Sequence, residues 1–369
     1  MCKGGIVLDW NRIVSLTELL GAPGSEEDVR MRFREALEPH VEQVWTDRLG
    51  GIVGLKAGRN KKDGYSRGPR ILVISHLDEV ALLITGVTHE GFLKFQTLGG
   101  WDSSVLQAQR FVVKPRKGGD PLLAVIGSVP PHLSTGSSVP LLTDLFLDVG
   151  AASAAEVAVW GIGIGDVAVP DSSCALLGKG SRFVAKAWDN RLGCGLVLEL
   201  ASSLPNGHHP NELYVGATVQ EEVGLRGAYV MTQLVRPDLV LAIDVGPAGD
   251  TPSSQDRGQK LGELGKGAVI RLFDRATITP PRLRDFLLTT AEEVGIPHQV
   301  FYSSGATDAG MAHRVGVGSP ASTLGVAGRY IHSHGSVVDR SDVEAAVALL
   351  REIILRLDRS VFNSILPSS

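Results

Sequence analysis

The chain has 369 residues, 43% of them hydrophobic and 21% charged, with a formal net charge of -4. Such a composition supplies a large buried core and excludes a disordered or collagen-like polypeptide. With 36 Lys and Arg against 40 Asp and Glu, and no basic block longer than the loop from Arg59 to Arg70, neither nucleic acid nor an acidic membrane surface is expected as a partner.

The N-terminus leads into Asp9 and Arg12 without an apolar leader core, and no run of about 18 apolar residues follows, so no membrane span is predicted. Ser25-Glu26-Glu27-Asp28 has capping-box spacing, and Val29, Phe33, Ala36 and Leu37 recur at helical spacing, which predicts an N-terminal amphipathic helix. A strand-like segment with a Gly-Gly turn and the loop from Lys56 to Pro69 come next. The apolar run Ile71 to Ile74 then reads as a fully buried strand, ending on Ser75-His76-Leu77-Asp78-Glu79. From Val80 to about Phe183 the texture is β-rich. A hairpin is predicted from Val80 to Thr85 and Phe92 to Leu98, with further strands at Arg110 to Lys114, Leu122 to Val129 and Leu145 to Val149, and one short helix at Ala151 to Trp160. Helix and strand alternate afterwards: a helix after Asp189, strand Leu213 to Val219, helix Arg226 to Leu234, strand Leu239 to Ile243, helix Arg282 to Val294 and strand Gln299 to Tyr302. The last helix is predicted to begin at a second capping box, Ser341-Asp342-Val343-Glu344, with Val343, Ala346, Val347, Leu350 and Ile354 on one face. Length alone allows two domains or one large domain with an insertion. The element order favours the second: an α/β domain built from 1–79 and 184–369, interrupted by a β-rich insert, 80–183.

Five segments place acids or imidazoles directly after apolar runs: His76 and Asp78, Asp189, Glu221 and Glu222, Asp244, and His332 with His334. In open parallel sheets, ligands gather beyond the carboxyl ends of strands, so these segments can converge. His76 and Asp78 share a face in extended backbone, and Asp78 can accept a hydrogen bond from the imidazole nitrogen that does not bind metal. Asp189 stands before an apolar helix, where an Asp serves either as an N-cap or as a carboxylate bridging two ions. Glu221 and Glu222, directly after a buried strand, would repel each other without a cation nearby. Their side chains point in different directions, which allows Glu222 to ligate a metal while Glu221 faces substrate as a general base. Asp244 suits a structural salt bridge or a metal equally, and spacing does not choose between His332 and His334. His208 and His209, in a Pro/Asn/Gly loop, read as exposed. The cysteines Cys2, Cys174 and Cys194 are widely spaced with no C-x-x-C pair, which argues against disulfides or a thiolate zinc site and fits a reducing cytoplasm. Two histidines and several carboxylates make an N/O site for two divalent ions. Paired ions about 3.5–4 Å apart lower the pKa of a bridging water toward about 7, so the expected chemistry is metal-assisted hydrolysis.

These residues resemble the TET-type dinuclear metallo-aminopeptidases, the family that also carries the labels glutamyl aminopeptidase and cellulase M or endo-1,4-glucanase. The resemblance rests on Ser75 to Glu79, Gly99-Gly100-Trp101-Asp102, Gly161 to Asp166, Lys186-Ala187-Trp188-Asp189-Asn190-Arg191, Gln220 to Gly227, Gly305 to Ala309 and Arg329 to Ser333, in order along nearly the whole chain. It implies that His76 and Asp244 hold one metal, Glu222 and His332 the other, and that Asp189 bridges them. It further implies that Asp78 orients His76 and that Glu221 is the base, with zinc or cobalt as the metals. The implied fold is a zinc-peptidase-like α/β/α sandwich with a mixed central sheet, interrupted by a β-barrel-like dimerisation insert. Implied partners are peptide substrates and further copies of the chain, as a dimer building block or a tetrahedral dodecamer. Trp188 and Asn190 stand where many relatives carry Phe and Asp. Two rival expectations are a glycoside hydrolase using paired carboxylates, which needs no dinuclear metal, and a non-catalytic peptide-binding or assembly protein on the same scaffold.

Overall fold

The computed structural model describes residues 8–59, 68–128, 139–252, 261–302 and 304–367. Its centre is a mixed eight-stranded sheet in the order Gln43–Thr46, Ile52–Lys56, Glu212–Thr218, Arg70–His76, Leu239–Pro247, Ala321–Gly328, Ala268–Phe273, His298–Tyr302. The four middle strands from Glu212–Thr218 to Ala321–Gly328 run parallel, as does the edge pair Ala268–Phe273 with His298–Tyr302; the junctions at Ile52–Lys56 and at Ala268–Phe273 are antiparallel. The apolar run at Ile71 to Ile74 is explained by burial on both faces. Ile71 and Val73 pack with the helices Trp10–Thr17, Glu27–Leu37, Trp188–Ser203, Pro281–Val294 and Arg340–Arg356, while Leu72 and Ile74 pack with Arg226–Val235 and Asp308–Ala312. The result is the expected α/β/α sandwich.

Between the strand ending at His76 and the helix opening at Trp188 lies a closed six-stranded barrel, in the order Ala81–Val87, Leu93–Leu98, Leu147–Asp148, Leu122–Ile126, Arg110–Lys114, Val167–Pro170. Alternate residues such as Leu82, Ile84, Phe111, Val113 and Ile126 fill it. After the barrel, Arg182–Ala185 pairs with Ser336–Asp339, stitching the returning chain to the segment just after His332.

Several elements differ from the sequence reading. The helix Trp10–Thr17, capped by the Asp9 carboxylate on Arg12 N–H, was not foreseen. Neither capping box forms as expected. Glu26, not Ser25, precedes the first turn of Glu27–Leu37 and makes no cap hydrogen bond there; Asp339, not Ser341, caps the helix Arg340–Arg356 through Ser341 N–H. In the first case the N-cap position moves one residue on, to Glu26, whose carboxylate bonds elsewhere, and in the second an acid two residues before Ser341 takes the cap. The strand expected from Leu122 to Val129 ends at Ile126, and Val129 lies outside the described residues, as does 60–67 of the Lys56 to Pro69 loop. The strand expected at Leu145 to Val149 shortens to Leu147–Asp148, and the helix at Ala151 to Trp160 to Ala154–Val159, with Ser153 as its cap.

Candidate active site and metal centre

The parallel strands deliver their ionisable residues to one edge. His76 closes Arg70–His76 and is in register with Thr218, three residues before Glu221. Ala242 pairs with Ile74, which brings Asp244 level with His76 on the next strand. Asp244 in turn pairs with Gly325, where any Cβ would lie 1.8 Å from the Asp244 carbonyl oxygen, so only glycine permits this register. Asp189 enters from the start of the helix Trp188–Ser203, where its backbone departs from helical values and the Asp189–Asn190 peptide is cis. His332 comes from the turn between Ala321–Gly328 and Ser336–Asp339. Left-handed backbone recurs around these groups, at Ala187, Gln220, Tyr330 and His332 itself, with φ between +53° and +58°. Side chains with a Cβ take this conformation only where the surroundings enforce it.

Of the eight residues in the five segments, seven come together: His76, Asp78, Asp189, Glu221, Glu222, Asp244 and His332. His76 Nε2 lies 3.3 Å from Asp189 Oδ1 and 3.9 Å from both Glu221 Oε2 and Asp244 Oδ1. His332 Nε2 lies 3.4 Å from Asp189 Oδ2 and 3.3 Å from Glu222 Oε1. The two oxygens of Asp189 therefore face different imidazoles. Each imidazole is fixed from behind: His76 Nδ1–H donates to the Asp78 carbonyl at 3.1 Å, and His332 Nδ1–H to the Gly100 carbonyl at 2.9 Å, leaving both Nε2 atoms toward the carboxylates. The Asp78 carboxylate is 3.5 Å from His76 Nδ1 and accepts the N–H groups of Glu221 (3.0 Å) and Glu222 (3.1 Å). It thus holds the backbone of the acidic pair as well as standing behind the histidine, a second contact that spacing alone did not reveal.

His334 is elsewhere. Its Nε2 bonds to the Arg110 carbonyl at 2.8 Å and its ring meets Phe111 edge-on. His209 is buried, against expectation, with Nδ1 3.0 Å from Asn211 Oδ1; the loop that reads as exposed is pinned by Asn211 to the end of the helix Arg340–Arg356. Asn190, the departure from the resembling family, donates from Nδ2 to the Ile243 carbonyl and accepts Gly193 N–H, tying the helix to the Asp244 strand with a donor that Asp lacks. Cys174 and Cys194 are free, and Cys194 Sγ donates to the His76 carbonyl.

Burial works against charge throughout the cluster. It lifts the Glu221 and Glu222 carboxyls above the usual range against the pull of His76 and His332, and with Asp189 adding repulsion it lifts Asp244 to about 8. Burial would lower the imidazoles, but Glu221, Asp189 and Asp78 raise His76 well above its ordinary value, and Glu222 and Asp189 raise His332 to about 12. Asp189 is pushed down despite its burial, because both imidazoles face it. Glu222 Oε1 is buried with the ion-pair contact to His332 Nε2 at 3.3 Å but no hydrogen bond of good geometry. A divalent cation answers that arrangement. His76, Glu221 and Asp244 offer ligand atoms within 4.8 Å of one another, and so do His76, Asp189 and Glu222. The donors are imidazole and carboxylate only, a set that suits a divalent ion without thiolate.

The cluster lines a cavity of about 230 Å³ that also exposes Arg271, Val245, Pro247 and Ile331. Arg271 comes from the strand Ala268–Phe273; it is 5% exposed, lies 3.5 Å from Asp274, stacks 5.0 Å over Phe301 and leaves Nε without a hydrogen bond. Asp308 is buried beside the cluster, accepts from Thr218 Oγ1, and is raised to about 6 by burial, with Asp78 adding repulsion. A buried ion triad braces the floor: Lys186 Nζ contacts Glu79 at 2.7 Å, and Arg191 bonds Glu79 and the carbonyls of Leu77, Leu16, Leu19 and Gly21. Lys186, Arg191 and Asp308 lie in the motifs that carried the resemblance, but Arg271 sits in a strand with no sequence signal of its own.

Known proteins match this chain along nearly its whole length. Residues 55–349 match the family model for M42 glutamyl aminopeptidases. The glutamyl aminopeptidase of Lactococcus lactis subsp. cremoris is 38% identical over 95% of this chain and 96% of its own. Among solved structures, an aminopeptidase of the archaeon Desulfurococcus kamchatkensis superposes with a TM-score of 0.91 at 36% identity, covering 97% of each chain. The TET1 peptidase of Pyrococcus horikoshii, described as assembling into a tetrahedron or a large octahedral shell, gives a TM-score of 0.82 at 31% identity over 94% of this chain and 99% of its own.

Proposed function

Since the chain belongs to the M42 glutamyl aminopeptidase family and is a metal-dependent aminopeptidase, we propose that its site holds two divalent ions and removes N-terminal residues from peptides, with a preference for acidic ones. His76 and Asp244 would hold one ion and Glu222 and His332 the other, with Asp189 available to both. The observation that carries this reading is the Asp189 carboxylate, whose oxygens lie 3.3 and 3.4 Å from two different imidazoles. When bound, zinc or cobalt ions would polarise the substrate carbonyl and make water nucleophilic near neutral pH. Asp78 keeps the His76 imidazole oriented and fastens the Glu221 and Glu222 amides. Glu221 receives the proton of the attacking water on Oε2 and passes it to the leaving amine. Its raised pKa and its place beside His76 in the cavity wall support that role.

The acidic preference rests on Arg271, the cation of the cavity wall, and agrees with the name of the Lactococcus relative. A carboxylate side chain entering the cavity would give the guanidinium a fuller partner than Asp274 alone. The barrel is proposed as the self-association insert, within a division of the chain into a discontinuous catalytic part, 1–79 and 184–369, and an insert, 80–183. Val159 and Ile164 on the barrel side of the molecule are 83% and 70% exposed, as expected of apolar residues awaiting another copy. A dimer assembling further into a tetrahedral dodecamer is the form proposed from the TET1 relative. No helix among the described residues is long and apolar enough to cross a membrane, and a cytoplasmic location is proposed from the sparse cysteines. Neither the glycosidase nor the non-catalytic expectation gains support from the comparisons. The test is a panel of aminoacyl reporters assayed with zinc- or cobalt-loaded protein: glutamyl and aspartyl reporters should be hydrolysed fastest, and a fastest rate on lysyl or leucyl reporters would overturn the preference.

A further inference from the structure

Three consecutive amides lead into the acidic pair, and each ends on a carboxylate oxygen. Glu221 and Glu222 N–H donate to the two oxygens of Asp78, and the preceding Gln220 N–H donates to Glu26 Oε1 at 3.2 Å. Asp78 already belongs to the site, but Glu26 comes from the N-terminal segment, 194 residues away in sequence. It is only 3% exposed. The same Oε1 accepts Gly24 N–H at 2.7 Å, closing the turn before the helix Glu27–Leu37, and the Glu26 carbonyl accepts Arg30 N–H at 2.9 Å, opening that helix. Gln220, at the other end of the contact, has φ +57°. From the far side Arg226 holds it twice, donating its backbone N–H to the Gln220 carbonyl at 3.2 Å and Nη1 to the Gln220 side-chain oxygen at 3.1 Å. A left-handed residue with a Cβ reverts to ordinary backbone angles when its restraints are removed. Reversion at Gln220 would swing the two side chains that follow it.

We propose that Glu26 is a positioning residue for the reaction: by holding the Gln220 amide it fixes the left-handed turn that aims Glu221 and Glu222 into the cavity. Glu26 touches neither substrate nor a proposed ligand and acts through the backbone. The inference rests on the roles proposed above for Glu221 and Glu222. Because one oxygen accepts both N–H groups, the carbonyl of a glutamine can replace it. Burial, with repulsion from Asp78 adding to it, lifts the Glu26 carboxyl to about 7, so an uncharged side chain resembles a form already populated near neutral pH.

The experiment compares full-length, zinc-loaded wild type, Glu26→Ala and Glu26→Gln on glutamyl p-nitroanilide, with hydrogen exchange followed in the peptide containing residues 220–222. Misplacing a reacting group by about an ångström costs on the order of 100-fold. Glu26→Ala should therefore lower kcat by about 10- to 100-fold, leave KM nearly unchanged and speed exchange in that peptide. Glu26→Gln should restore most of kcat and the slow exchange. Wild-type kcat in Glu26→Ala, equal loss in the Ala and Gln variants, or a loss expressed wholly in KM would overturn the proposal. Should Glu26→Ala fail to fold, Glu26→Asp, one methylene short of Gln220, takes its place with the same expected direction. A wild-type protein inactive on glutamyl p-nitroanilide would count against the acidic preference and move the comparison to the fastest reporter of the panel; inactivity on every reporter would count against the assigned roles of Glu221 and Glu222, and the exchange measurement would still decide whether Glu26 holds the turn.

Discussion

Replacing Asp78 by Asn tests how much of the site depends on one buried carboxylate. Asp78 is fully buried, and its two oxygens accept the Glu221 and Glu222 amides at 3.0 and 3.1 Å. Asn keeps one acceptor and turns an NH₂ group toward the other amide, so one charge-assisted bond is lost and one buried N–H is left facing a donor. Bonds to charged groups are worth about 1.5–3 kcal/mol each, and an unsatisfied buried N–H costs about 1–3 kcal/mol. These overlap, since the orphaned donor is part of what the lost bond measures. The removed charge also relieves repulsion on Glu26 and Asp308, both raised in part by Asp78. The net loss expected is therefore about 2–4 kcal/mol of stability. Substitutions behind a metal ligand typically cost about 10- to 100-fold in metal affinity or activity, and kcat/KM of Asp78→Asn should fall in that range. Urea denaturation of the metal-free protein gives the stability change, and metal titration with reporter turnover gives the second quantity. A variant with wild-type midpoint and wild-type turnover would refute the reasoning; lower stability with unchanged affinity and turnover would refute the link from the clamp to the chemistry.

Glu221→Gln should lower kcat by about 10²- to 10⁴-fold while retaining the metal content of the wild type, measured by elemental analysis; loss of metal in parallel would show that Glu221 is a ligand. Arg271→Gln should reduce kcat/KM on glutamyl reporters by about 10- to 100-fold more than on alanyl reporters, the size of one charge-assisted contact, and an equal effect on both would remove Arg271 from substrate selection. For the metal-free protein, stability should fall as pH rises. The Asp244 carboxyl is raised to about 8 when folded, so its favourable contribution is complete below the unfolded value of 3.8 and is lost as pH climbs through about 8; His332, raised to about 12, loses its contribution from 6.5 upward. Melting of the chelated protein should therefore occur at lower temperature at pH 9 than at pH 6, with added zinc reversing the trend. A chelated protein more stable at pH 9 would contradict the charge assignment.

The parts of the site visible in the sequence are those written by buried strands. Ile71 to Ile74, Leu213 to Val219 and Leu239 to Ile243 are apolar because both faces are covered, and an ionisable residue at the end of such a run stands out. Ala321–Gly328 is equally buried yet was not read as a strand, since Ser322, Thr323, Gly325 and Gly328 imitate a loop; Gly325 is there because the Asp244 backbone comes too close for a side chain. Helix starts were misplaced by one or two residues because local Ser spacing suggested a cap, while Glu26 had a distant partner in Gln220 and Asp339 preceded Ser341. Supporting groups were the least legible. The contacts of Glu79 with Lys186 and Arg191 span 107 and 112 residues, and no local pattern marks such pairs. The role of Gly100 is similar: its carbonyl, from the turn after the second barrel strand, fixes His332 across 232 residues.

Exhaustive chelation followed by a glutamyl reporter assay, with metal content measured on the same sample, shows whether the His76–Asp189–His332 cluster acts through bound divalent metal. Turnover should disappear with the last metal and return on adding zinc or cobalt. Turnover that persists in demonstrably metal-free protein would contradict that role of the metal.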